Sequence, residues 1–114
     1  MDESILDSVK KLLGISPDYT QFDTDIIIHI NSVLSILRQM GAGPEEGYVI
    51  SDNTARWSDF VGDNIKLSMI KSYVFMKVRL MFDPPQIGSV MDALQKQIAE
   101  LEWRINAVVD YPNS

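Results

Sequence analysis

The sequence predicts an all-α fold, a small bundle of four main helices with a long irregular loop between the second and third. Three observations carry this expectation. Apolar residues recur at steps of three and four in four separate segments. Each segment ends at a glycine or proline stop. One segment, Asn64 to Phe82, is apolar nearly all the way round, as the centre of a bundle must be. The 114 residues suffice for a single domain, 1–114, with a flexible tail over 110–114.

The first helix is expected over 4–13. Ile5, Leu6, Val9, Leu12 and Leu13 share one face, Asp2 or Glu3 stands near the positive end, and Gly14 takes the left-handed C′ position. After the Ser16-Pro17-Asp18 turn, any of Asp23, Thr24 and Asp25 can cap a second helix over 24–40. Its four isoleucines within five positions favour a strand when read alone. Helical spacing through Val33, Leu34, Leu37 and Met40, ending at Gly41-Ala42-Gly43, overrides that reading.

Residues 41–62 are irregular and longer than two helices need for joining, which marks the segment as a docking element. Its glycine-rich start is expected to be mobile, and Trp57, Phe60 and Val61 to form a helical turn pinning its end to the core. The third main helix spans 64–82. Twelve apolar side chains cover roughly three quarters of its wheel at about 100° per residue, so it is either the centre of the bundle or covered by a second subunit as well. Ile70, Val74 and Met81 share the middle of its stripe and are expected in the core. Lys66, Lys71, Lys77 and Arg79 interrupt it too often for a membrane span. Asp83-Pro84-Pro85 forces a break, and the last helix runs over 87–109. There Ile87, Val90 or Met91, Leu94, Ile98, Leu101, Ile105 and Val108 make a heptad seam, supported from outside by Glu100 and Arg104.

Sixteen acids against ten bases leave a net charge of −6, which disfavours non-specific attraction to nucleic-acid phosphates. The split is uneven. Residues 1–62 carry ten acids and four bases, residues 63–82 one acid and four bases, and residues 83–114 five acids and two bases. The cationic central helix and its acidic flanks are complementary, within one subunit or between neighbours. The chain contains no cysteine, which removes disulfides, thiolate nucleophiles and cysteine metal sites. The acidic, amphipathic start does not read as a signal peptide.

Nothing in the residues points to catalysis. His29 is the only histidine, so no second imidazole completes a zinc or nucleophilic site, and a neutral core or interface role is expected. Asp18, Asp23 and Asp25 lack the spacing of a calcium loop and read as capping residues. No catalytic residue, metal site or cofactor is therefore expected. The candidates are interface residues: Glu45, Glu46 and Tyr48 on the loop, Trp57 and Phe60 at its aromatic end, Lys66 and Lys77 on the central helix, and Trp103 on the last.

The segments KKLLGIS, FDTDIIIHINSVL, GAGPEEGYVI, WSDFVGDN, KSYVFMKVRLMFDPP and IAELEWRIN stand in this order between Leu6 and Asn106. In that order and spacing the chain resembles the small head-tail connector, or adaptor, proteins of long-tailed bacteriophages and of prophages in Gram-positive bacteria. The resemblance implies a helical, non-catalytic virion protein, made in the bacterial cytoplasm and built into the head-tail junction. It also implies a ring of copies beneath the portal protein, of portal-matched symmetry such as a dodecamer. Such a ring extends the DNA exit channel without binding DNA specifically or touching a membrane, and offers a surface to the next head-completion or tail protein. The alternative is a cytoplasmic helical protein-binding regulator with no virion role.

Overall fold

The computed structural model describes residues 3–61 and 64–110, with the side chains of 64–66 and 108–110 outside that description. Among the described residues five helices follow one another: Ile5–Leu12 (α1), Asp23–Gln39 (α2), Trp57–Phe60 (α3), Asn64–Phe82 (α4) and Gly88–Asp110 (α5). Among the described residues the only β-type pairing is an isolated antiparallel bridge between Ser4 and Arg56. The expected four main helices and the aromatic turn are therefore all present. The tail expected over 110–114 lies, apart from Asp110, outside the described residues.

Ser4 starts α1 by accepting the Asp7 N–H at 3.2 Å, satisfying one of the free amides of the first turn. Lys10 and Lys11 lie in the last turn, where cations meet the partial negative end of the helix. Gly14 follows at φ 81°, the left-handed geometry that a glycine admits without a Cβ clash.

At the start of α2 the expectation fails. The N-cap is Phe22, and no side chain caps the helix. Asp23, expected as a capping residue, is instead the first helical residue, and its carboxylate lies 2.8 Å from Lys10 Nζ. Lys10 is fully buried and also donates to the Pro17 carbonyl at 3.0 Å. A buried ammonium is tolerable only when its charge is matched, and that need holds Asp23. Asp23 Oδ1 has no well-angled hydrogen bond among the described residues, so the contact is chiefly one of charge.

The central position of α4 explains its apolar circumference. It packs against α2, α5 and α1, and Ile70, Tyr73, Val74 and Val78 are all buried. Cover from within the chain thus accounts for most of its apolar surface, the first of the two options that the sequence left open. Met81 was expected in the core and is 40% exposed. Met81 lies in the last turn of α4, one residue before its end, where neighbouring elements no longer close over this face.

α5 is the longest helix, about 34 Å at 1.5 Å per residue, and α4 is its main support. Leu94, Ile98 and Ile105 are buried and Leu101 is half-buried, as the heptad seam requires. The seam starts later than expected. Ile87 precedes the helix and is 66% exposed, and Val90 is exposed while Met91 turns inward. The Val108 side chain lies outside the described residues. Tyr73 Oη donates to Glu102 Oε2 at 2.7 Å and ties the two helices together.

Candidate assembly surfaces

The 41–61 segment is pinned at several points. Asn31 on α2 receives the Ile50 N–H on Oδ1 at 2.8 Å and donates Nδ2 to the Ile50 carbonyl at 2.9 Å, so one side chain satisfies both backbone groups of a buried residue. Arg38 Nε donates to the Glu45 carbonyl at 2.7 Å. Gly43, at φ 85°, lies so close to Phe60 that a Cβ would stand 2.5 Å from the ring. Hydrogen bonds from the Thr54 hydroxyl and amide hold the Asp52 carboxyl below its ordinary pKa.

The segment's end closes against α1. Trp57 is buried and its Nε1 donates to Ser8 Oγ at 2.8 Å, while Lys71 Nζ lies 5.8 Å from the centre of the indole. Asp59 accepts the Arg56 N–H at 2.9 Å, fixing the first turn of α3. Phe60 is buried beneath Tyr48, with ring centres 5.7 Å apart. Tyr48 is half-buried, and burial first, then the Asp59 charge, raises its pKa.

The interface candidates therefore separate. Trp57 and Phe60 belong to the core of their own subunit and offer no side-chain surface, because the short α3 turns both rings toward α1 and the loop. Glu45 and Glu46 are exposed, and no ion pair engages either carboxylate among the described residues. Lys77 is half-buried and, among the described residues, has no ion-pair partner. The side chain of Lys66 lies outside the described residues. Trp103 is 72% exposed.

His29 packs edge-on against Phe82 at 6.3 Å, in a row of rings that continues through Phe22 to Tyr19. Among the described residues, no helix is long and apolar enough to cross a membrane.

Against this geometry, the family model for "Phage connector protein" matches residues 5–112. The chain belongs to the phage connector family. No curated protein and no solved structure matches it. The matched span runs from the first residue of α1 past the end of α5, so it takes in all five described helices.

Several exposed apolar residues of the connector escaped the sequence reading. Val49 is 73% exposed beside the acid pair, and Ile28 on α2 and Leu12 on α1 are 56% and 57% exposed. A signal existed for Ile28, the one isoleucine of its run that falls off the apolar half of the helix. Val49 carried none, because loop residues have no periodicity to depart from.

Proposed function

We propose that this chain is a structural head-tail connector of a long-tailed phage, or of a prophage in a Gram-positive bacterium. Copies form a ring beneath the portal protein, extend the DNA exit channel, and give the next head-completion or tail protein its attachment surface. The observation that carries this reading is the match of the connector family model over residues 5–112. The protein is made in the bacterial cytoplasm and ends in the virion, at the junction of head and tail.

The physical character of the chain supports the reading. A closed ring uses head-to-tail contacts, so each subunit needs two different adhesive faces. The outer face of α5 with Trp103 and the cleft between α1 and α4 offer two such faces, and the exposed loop with Glu45, Glu46 and Val49 leaves a third for another protein. A net charge of −6 suits a wall past which DNA must slide, since acidic groups repel phosphate. The work is mechanical and calls for no catalytic group or cofactor.

Deletion of the gene from the phage or prophage that carries it provides the test. DNA-filled heads without attached tails are expected, with infectivity restored by the gene in trans. Intact, infectious tailed particles from the deletion strain would refute the assignment.

A further inference from the structure

A ring requires a donor patch and an acceptor patch on opposite sides of one subunit, and the fold provides a pair that fits. On α5 the buried seam is Leu94, Ile98, Leu101 and Ile105, and Trp103 projects about 170° from its middle at 100° per residue. The indole therefore points straight away from the subunit's own core, which is why it is 72% exposed. On the other side of the molecule, α1 and α4 enclose a cleft of about 190 Å³. Val9 and Trp57, both almost fully buried, lie beneath it, the 57% exposed Leu12 lines it, and Lys11, Lys71 and Glu3 border it. Lys71 faces this cleft while Tyr73 faces α5, and the two project about 160° apart on α4. Donor and acceptor thus flank the central helix on opposite sides.

Building on the ring reading above, we propose that Trp103 of one copy inserts into the α1/α4 cleft of the next copy. Size favours a side chain over a free ligand, because small-molecule sites start at about 300 Å³. The electrostatics favour an indole in particular, since Lys71 already stands over the Trp57 ring and a second ring there meets the same cation and Lys11. Charge favours another copy of this chain as the source. The cleft carries Lys11 and Lys71 against Glu3, whereas α5, with Glu102 turned inward to Tyr73, still carries Asp92, Glu100 and Asp110 against Lys96 and Arg104. The contact is heterologous, so it propagates around a ring.

The absence of native cysteine permits a direct test. Leu12→Cys lines the cleft, and Ala99→Cys lies one helical turn from Trp103. The double variant at millimolar concentration, treated with a short bismaleimide, is expected to give a ladder of dimers, trimers and higher species. A mixture of the two single variants is expected to stop at dimers. Adding Trp103→Ala to the double variant should reduce the ladder at least tenfold with the melting temperature unchanged. Iodide should quench Trp103 in dilute protein and lose access to it on assembly. Absence of the ladder, or a ladder indifferent to Trp103→Ala, overturns the pairing. Sedimentation mass is read separately on the chain without introduced cysteines. A ring-sized particle that survives Trp103→Ala leaves the ring standing and refutes this contact, and Trp103-dependent binding to portal-bearing capsids without self-association assigns the indole to another protein.

Discussion

The corner built from α1, α2 and α3 and the arm built from α5 grip the same central helix by different means. In the corner, apolar burial is reinforced by the Lys10–Asp23 pair, the Trp57–Ser8 hydrogen bond and the double clamp of Asn31 on Ile50. The arm has one line of apolar side chains and, among the described residues, one hydrogen bond to α4, from Tyr73 to Glu102. Stability within a domain is not uniform, and segments with fewer buried contacts open at lower free energy. The contrast therefore divides the molecule into a rigid wedge and a longer lever held along one edge.

The largest test breaks the corner. Trp57→Ala removes a buried ring and its hydrogen bond to Ser8, whose hydroxyl keeps its bond to the Ile5 carbonyl, and should cost about 3–5 kcal/mol in denaturant unfolding. A loss below about 1 kcal/mol would show that the corner is no tighter than the arm. Next, Asn31→Ala leaves the Ile50 N–H and C=O without their partner and should cost about 1–3 kcal/mol.

Tyr73→Phe acts on the arm and should cost about 1 kcal/mol, because the ring stays packed and only the hydrogen bond goes. Hydrogen exchange should then quicken along α5 and leave α2 unchanged. The same variant reports on pH. Burial first, then the hydrogen bond and charge of Glu102, raises the Tyr73 pKa above the usual tyrosine value, so the folded protein keeps this proton longer than the unfolded chain does. That contribution is complete below about pH 10 and declines as the pH rises further, so Tyr73→Phe should flatten the alkaline fall in stability. The smallest effect belongs to the loop surface. Replacing Glu45 and Glu46 with Lys should change stability by no more than about 0.5 kcal/mol. Co-sedimentation with portal-bearing capsids should nevertheless weaken, and full binding would remove the acid pair from the interface.

The two regions were not equally legible in the sequence. Periodicity and glycine stops placed every main helix within a residue or two, since Gly14 and Gly41 both take positive φ just past a helix end. Packing partners were harder to read. Lys10 sits beside the apolar stripe of α1, and only the approach of Asp23 and Pro17 from another segment decides that it is buried. Trp57 and Trp103 are the same residue type with opposite fates, because a short turn folds one against α1 while the seam of α5 aims the other at solvent. Sequence spacing reports which face a side chain shares, whereas the surrounding elements decide whether that face is covered at each turn, as Met81 demonstrates.

The bridge between Ser4 and Arg56 bears on the order in which the domain can be made. The Ile5 N–H bonds to the Ala55 carbonyl at 3.0 Å, and the Trp57 N–H bonds to the Glu3 carbonyl at 3.2 Å. These contacts span about fifty positions of chain, whereas the other partner of α1, the helix α2, begins about ten residues after α1 ends. During synthesis, α1 therefore meets Pro17, Asp23 and α2 early, while the clasp to residues 55–57 must wait for the loop to emerge. Closing so distant a pairing is slow compared with forming a local helix, even though lengthening a loop adds little to its equilibrium cost. The clasp at the start of α1 is thus among the last contacts to close, and until α3 and α4 emerge α1 is covered by α2 alone.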